Sequence, residues 1–448
     1  MQFLENLISG TLPFAFLTIC GIYLSFTTHF CQITRFFESL KMTVKAFLKR
    51  EKTKEITSVK SACTALSATV GTGNIAGVAG AIAIGGAGAV FWIWISAILG
   101  MCIKSAEITL AIIYREKDKS GFVGGPVFYI KNGLSKAFKP LGVIFCLATI
   151  PATFCSGNIT QVNSAIISFC DTNISRFIWG MIFTVCCYFA INGSLNKIAF
   201  LTEKLVPPMS LLYIIISFFV IFKNIEYLPV SFKMIFEGAF NPKAVTGGAV
   251  GSVFTSIFIG SSRGIFSNEA GLGTSGIAHS VAVDADPKIQ GLYGIFEVFV
   301  DTILLCTLTA LTILCSGVKI NYGNTASTEL VARALNMNMG GFGNASLSLM
   351  MCLFAFSSII GWALYGRLSV EYIFGKIGVK IFTFFYPLCC ILGAVFNSGL
   401  VWRLAALCNS VMLCANLTAV LLLKDKFEPN LKRGQRIENT RNSKNITT

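Results

Sequence analysis

The sequence predicts an all-α polytopic membrane protein, with eleven transmembrane helices forming two five-helix repeats of opposite orientation and one extra helix in front. Three observations carry this. Hydrophobic residues make up 54% of the 448 residues and charged residues 13%, with a mean hydropathy of +0.71, which leaves too little charged surface for a water-soluble chain. Eleven apolar runs are each long enough to cross a bilayer. The second and seventh runs are interrupted at their centres by glycines and polar residues. Broken apolar segments in corresponding positions of two halves point to a transporter site, and five spans per half force the halves into opposite orientation.

The runs lie at about 10–30, 62–84, 88–113, 141–168, 175–193, 205–223, 249–278, 290–316, 344–366, 378–396 and 399–423. They divide the chain into an extra N-terminal helix (1–30), a basic amphipathic segment (31–60), a first repeat (61–223), a second repeat with its preceding outer loop (224–423) and a tail (424–448). Loops of one side hold 27 Lys and Arg residues and those of the other hold seven. The basic side faces the cytoplasm, which sets the N-terminus outside and the C-terminus inside. Within 33–60, Phe36, Leu40, Val44 and Phe47 recur at helical spacing among lysines. That pattern places a helix on the inner membrane surface, with docking on the protein as the other reading. The tail is polar and basic, so disorder is expected, and its Asn445-Ile446-Thr447 sequon falls on the inner side, away from glycosylation. No basic n-region precedes the first run, which therefore reads as a retained helix rather than a signal peptide. The basic inner loops, with no eukaryotic targeting signal, place the chain in a bacterial plasma membrane, the inner membrane.

The two breaks are where chemistry is expected. The first reads Ala68-Thr69-Val70-Gly71-Thr72-Gly73-Asn74-Ile75-Ala76-Gly77. Glycine costs a helix about 1 kcal/mol relative to alanine, and an asparagine in hydrocarbon needs partners. Unwound backbone survives at membrane depth only where it is buried in protein or lines a cavity. Taken alone, Gly73 and Gly77 also fit close helix packing. The second break, Ser262-Arg263-Gly264-Ile265-Phe266-Ser267-Asn268-Glu269-Ala270-Gly271-Leu272-Gly273, favours the cavity reading. At such a break one half-helix offers free N–H groups, which suit a carboxylate, and the other offers free carbonyls, which suit an ammonium or sodium ion. A zwitterionic amino acid satisfies both.

These stretches, together with Gly124-Gly125-Pro126-Val127-Phe128-Tyr129-Ile130 and the segments 157–164 and 356–366, resemble the alanine/glycine:cation symporter family over nearly the whole chain. The resemblance implies a leucine-transporter-type core and sodium-coupled uptake of a small neutral amino acid. It also implies roles for particular residues. Thr72, Gly73 and Asn74 would bind the substrate carboxylate, Gln161 would add a polar contact, and Gly264, Ile265 and Ser267 would line the other side. Trp362 would cap the side-chain pocket. Sodium, the coupling ion and the only cofactor-like group implied, would sit between the carbonyls of Ser67 and Val70 and the hydroxyls of Ser357 and Ser358. The family more often carries Ser-Thr where Ser357-Ser358 stand, and both oxygens are retained. Each residue has a plainer reading as well: Asn74 as a half-helix cap, Gln161 as an interhelical bond, Trp362 as packing, and the serines as bonded to their own helix.

Other intramembrane charges are expected to be structural. Lys104 and Glu107 fit an ion pair or snorkelling, and Glu297 and Asp301 fit helix-anchoring hydrogen bonds, with gating, proton relay or a second cation as the other roles. Arg263 and Glu269 fit either a gate pair or support of the unwound segment. The 16 cysteines show no metal-ligand spacing, and two histidines leave little room for histidine chemistry. The formal charge of +15 lies in loops and tail rather than in a nucleic-acid-binding patch. A channel would show a filter loop, a sensor an added soluble domain, and an enzyme a catalytic constellation, none of which is present. Proton coupling and glutamine as substrate stay open.

Overall fold

The computed structural model describes residues 11–49, 53, 55–118, 121–248, 250, 252–323, 328–396 and 399–432. The first apolar helix, α1 (Leu12–Thr27), is followed by the basic helix α2 (Phe36–Leu48). The second run is two helices, α3 (Ser58–Thr69) and α4 (Val78–Gly85), joined through a π-turn at Gly73–Gly77 and bent by 48°. Then come α5 (Ala89–Ile113), a small hairpin of β1 (Glu116–Asp118) and β2 (Gly121–Val123), and the short helix α6 (Pro126–Gly133). The fourth run is α7 (Lys139–Phe154) and α8 (Thr160–Ile167), with a π-turn at Cys155–Ile159 between them, followed by α9 (Asn173–Ile191) and α10 (Leu195–Lys223).

The second half opens with α11 (Leu228–Phe240) and the second broken run, α12 (Val253–Asn268) and α13 (Thr274–Ser280). The eighth run is α14 (Pro287–Val298) and α15 (Thr307–Cys315), joined by a π-helical stretch at Phe299–Cys306, and α16 (Thr328–Met339) follows. Helix α17 (Gly341–Val395) is 55 residues long but breaks at Gly375, whose φ of 63° no helix allows. It therefore corresponds to the ninth and tenth runs. Helices α18 (Gly399–Leu422) and α19 (Lys424–Leu431) end the described chain. Seven helical stretches among the described residues are long and apolar enough to cross a membrane, or eight with the bent pair α3/α4. Large apolar side chains such as Phe189, Phe222 and Ile381 stand exposed along them, as befits a chain whose solvent is hydrocarbon.

Several expectations are amended. The hairpin and the helices α6, α11 and α16 occupy stretches read as loops. The tail is not disordered from its start: α19 buries Phe427 and Leu431, and the Arg35 Nη1 group donates to the Asn430 carbonyl at 2.9 Å. The rest of the tail, 433–448, lies outside the described residues, as does the sequon. Helix α2 docks on the protein, the second of its two readings. It packs Phe36 on Phe299 and Phe47 on Phe296, and Ser39 Oγ donates to the Leu292 carbonyl at 2.6 Å. Its other face exposes Phe37, Val44 and Leu48 beside Lys41, Lys45 and Lys49.

Close packing of small residues sets the core around α5. A Cβ on Gly260 of α12 would stand 2.2 Å from the Ala89 carbonyl, and one on Gly264 would stand 2.0 Å from Ser96 Oγ. These glycines, one turn apart, let two helix backbones touch where no hydrophobic force between helices operates. Gly260→Ala is therefore expected to cost about 1–3 kcal/mol of stability through overpacking, read as a lower melting temperature of the purified protein. Gly341→Ala, whose added Cβ meets nothing within 4 Å, leaves that temperature unchanged. Equal melting of the two variants would contradict this packing.

Candidate substrate and cation site at the helix breaks

At the first break the backbone leaves the helix at Val70, with φ −73° and ψ 90°. The amides freed by this turn are taken up by side chains from three directions. Gly71 N–H donates to Asn74 Oδ1 at 2.9 Å, and Thr72 donates from N–H and Oγ1 to Gln161 Oε1 at 3.2 and 2.8 Å. Gln161 is held in turn by Nε2 donating to the Ser156 carbonyl at 3.1 Å. The Asn74 Nδ2 group reaches Asp301 Oδ1 at 2.8 Å, the Asp301 carbonyl at 2.9 Å and Ser267 Oγ at 3.0 Å. Ser267 Oγ and Thr302 Oγ1 donate to Asp301 Oδ2 at 2.8 and 2.7 Å, and Thr309 Oγ1 donates to the Asn74 carbonyl at 2.9 Å. Asp301 lies on the π-helical stretch of the eighth run, so one buried carboxylate joins both broken helices to a third element.

The second break is built by glycines at positive φ. Gly271 (φ 88°) and Gly273 (φ 76°) reverse the chain, and Glu269 takes the same left-handed region at φ 56°, which a non-glycine residue adopts only with support. That support is a 2.7 Å bond from Thr274 Oγ1 to Glu269 Oε2. Lys104 Nζ donates to the Asn268 carbonyl at 2.9 Å, capping the end of α12. Glu107 Oε1 accepts from Gly273 N–H at 3.2 Å and from Asn416 Nδ2 at 2.5 Å, while Asn416 also donates to the Gly271 carbonyl at 2.8 Å. A cationic group on the C-terminal end of one half-helix and a carboxylate at the N-terminal end of the next is the arrangement that helix-end charges favour.

Between the breaks lies a cavity of ≈ 10 Å³, room for about one water, lined by residues including Gly71, Gly73, Gln161, Ser267 and Trp362. Four of the residues expected to bind substrate, Gly73, Gln161, Ser267 and Trp362, are thus brought together, and Thr72 contacts the same Gln161 oxygen. Trp362 is anchored on α8's approach, since a Cβ on Gly157 would meet it at 2.4 Å. Three other residues are placed elsewhere. Asn74 turns its amide to Asp301 and Ser267, away from the lining. Gly264 faces Ser96 of α5 as a packing contact. Ile265 lines a neighbouring cavity with Pro13, Phe14 and Leu413. Ser156, Phe266, Glu269 and Asn409 line the central cavity and were not singled out for it by sequence reading. Of these, only Phe266 and Glu269 fall within a break, where a signal existed.

The residues expected to hold sodium also converge. Ser357 Oγ donates to the Val70 carbonyl at 3.4 Å and to the Phe354 carbonyl at 2.9 Å, so it back-bonds its own helix and reaches the break at once. Ser358 Oγ is buried with no partner, and it lies 2.5 Å from where a Cβ on Gly71 would stand. Ser67 Oγ donates to the Thr64 carbonyl at 2.7 Å and would stand 2.6 Å from a Cβ on Gly361. The ninth run therefore presses hydroxyls directly onto unwound backbone, a hard-oxygen environment suited to an alkali cation.

Two expected charge pairs are not formed. Lys104 pairs with Glu297 at 3.4 Å rather than with Glu107, because Glu107 is committed to Gly273 and Asn416. Arg263 forms no ion pair with Glu269, whose carboxylate is turned to Thr274. Glu297 and Asp301, one turn apart in sequence, serve different networks. None of the sixteen cysteines forms a disulfide.

The sequence profile of the sodium:alanine symporter family matches residues 1–446. An uncharacterized transporter of Haemophilus influenzae is 36% identical over 430 residues, covering 94% of this chain and 92% of its own. The sodium/alanine symporter AgcS of Methanococcus maripaludis is 36% identical over 90% of this chain and 89% of its own. The probable sodium/glutamine symporter GlnT of Bacillus subtilis is 35% identical over 94% and 87%. Among solved structures, MhsT in complex with L-phenylalanine superposes with a TM-score of 0.58 at 14% identity, covering 82% of this chain and 89% of that one. A manganese transporter of Eremococcus coleocola superposes with a TM-score of 0.54 at 15% identity, over 84% and 82%. These likenesses show a leucine-transporter-type fold. The chain belongs to the sodium:alanine symporter family, a family of transporters and not of enzymes.

Proposed function

We propose that this protein carries a small neutral amino acid, alanine or glycine, together with sodium by alternating access. It does so with eleven spans, one leading helix and two inverted five-helix repeats, its N-terminus outside and C-terminus cytoplasmic in a bacterial inner membrane. The observation that carries this is the meeting of both broken helices at one cavity, with Gln161 on one side of it and the unpartnered Ser358 hydroxyl beside it. The N–H groups of 71–73 take the carboxylate in exchange for their side-chain partners Asn74 and Gln161, with Gln161 as a second contact. Sodium takes the Val70 and Ser67 carbonyls and the Ser357 and Ser358 hydroxyls. Asn74 acts at one remove, holding the loop in the shape both ligands need. The coupling is thermodynamic: sodium and substrate order the same unwound segment, so each raises the affinity for the other. Trp362 closes the pocket, which favours a short side chain. Glutamine is the alternative substrate, on the likeness to GlnT.

A proteoliposome experiment tests this reading. Labelled alanine and glycine are expected to accumulate only when a sodium gradient is imposed. Ser358→Ala is expected to raise the sodium concentration for half-maximal uptake about tenfold or more, as loss of a charge-assisted contact of ~1.5 kcal/mol implies. Uptake that runs equally well in potassium, or a Ser358→Ala variant with unchanged sodium dependence, contradicts the assignment.

A second reading is favoured by Asp301, a carboxylate fully buried among Asn74, Ser267 and Thr302, where a proton rather than sodium would be the coupled ion. Asp301→Asn keeps the shape and removes the titrating group. On the sodium reading the variant retains sodium-driven uptake while losing affinity. On the proton reading it loses all response to a proton gradient that drives the wild type.

A further inference from the structure

The chain has two histidines, and one of them, His279 at the end of α13, is fully buried. Its Nε2 lies 2.5 Å from Glu297 Oε1, and Glu297 Oε2 lies 3.4 Å from Lys104 Nζ. Its Nδ1 lies 2.6 Å from Gln290 Nε2, and that same amide nitrogen donates to Ser61 Oγ of α3 at 3.2 Å. Ser61 Oγ donates in turn to the Ser58 carbonyl at 2.8 Å. Ser61, Lys104, Gln290 and Glu297 are all fully buried. None of them belongs to the substrate or cation positions described above.

A carboxylate only accepts, so Nε2 carries hydrogen toward Glu297, and with the amide in this orientation Gln290 donates to Nδ1. Lys104 and Glu297 balance each other. Two oxygens of the set accept no hydrogen bond: Glu297 Oε2, which faces Lys104 at 3.4 Å, and Gln290 Oε1, which is buried with no partner. Turning that amide over places Oε1 on Nδ1 and creates a place for a second imidazole proton. The same turn sets an acceptor against Ser61 Oγ where a donor stood, so the Ser61 hydroxyl must leave the Ser58 carbonyl and donate to Gln290 Oε1 instead.

We propose that His279 is a proton-binding site, separate from substrate and cation, and that proton uptake there takes a hydrogen bond out of the first turn of α3. The added charge makes the Lys104–Glu297–His279 trio net positive. Three further carboxylates, Glu107, Glu269 and Asp301, act on Lys104, each held by bonds of its own. The Tyr293 ring of α14 lies tilted 6.1 Å away, and Tyr365 of α17 and Cys63 of α3 are buried. Glu107 of α5 and Tyr129 of α6 are both turned to Asn416, and Lys60 of α3 donates to the Thr53 and Glu55 carbonyls at 2.5 and 2.8 Å. Beyond His279 the chain around the start of α3 is held to the segment 282–284 by further bonds. Val283 N–H donates to the Ile56 carbonyl at 2.9 Å, Ser58 donates to Asp284 Oδ1 at 2.6 and 2.9 Å, and Arg115 holds the Ala282 carbonyl at 2.5 Å. A proton on His279 therefore loosens the first turn of α3, the first half of the broken helix. Histidine is the side chain whose charge changes in the range cells and vesicles experience.

Hydrogen exchange of the full-length protein in nanodiscs tests this without reference to substrate. After correction for intrinsic rates, amides of 56–69 are expected to exchange about fivefold faster at pH of about 5.5 than at about 7.5 in the wild type. His279→Gln, which keeps a donor for Glu297, is expected to exchange at the slow rate at both. If that variant does not fold, Ser61→Ala decides: fast exchange at both pH values supports the proposal, and a wild-type pH response overturns it. A wild type without pH response, or a His279→Gln variant that keeps it, also overturns it.

Discussion

Every backbone amide and carbonyl at membrane depth must find a partner inside the protein, and this constraint shapes the structure most. Two helices of this chain are broken where water is absent, and each break strands several polar groups. The cost of leaving one unpaired is several kcal/mol by order of magnitude. The first break is rescued by Gln161, Asn74 and, through Asn74, Asp301. The second is rescued by Lys104, Glu107 and Asn416. The intramembrane charges are thus the partners that make unwound backbone tolerable, and their positions fix which helices surround the cavity.

The same economy explains why few groups remain for ligands. Ser358 Oγ stands out because it is buried beside Gly71 without a bond of its own, while Ser357 already has two acceptors. A cation arriving there completes an existing shell of oxygens. An amino acid arriving at 71–73 must instead compete with Gln161 for the Thr72 amide. On the proposed reading, binding at this site is an exchange of partners within a network, which would carry ligand occupancy to both broken helices.

Much of this was legible in the sequence. Glycines and an asparagine inside an apolar run identify a break because no helix in hydrocarbon tolerates them cheaply. Composition conveyed the membrane setting. Less accessible were features that depend on which faces meet. Gly264 stands in the break's sequence but packs on Ser96, and Asn74 turns to a carboxylate 227 positions away. Lys104 and Glu107 are three apart and invite pairing, yet each is claimed by a different end of the second break. The tail's first eight residues read as polar coil because their helix is stabilised by Phe427, Leu431 and Arg35, contacts that local composition does not encode.

The central claim is that sodium and the amino acid share the unwound segment between the two breaks. Equilibrium binding of labelled alanine to the purified protein, titrated with sodium, tests it most directly. Linkage requires that sodium raise alanine affinity and that alanine raise sodium affinity by the same factor, about 5–150-fold for a typical coupling. Reciprocal factors of that size in the wild type support the account. Alanine binding that is indifferent to sodium would contradict it.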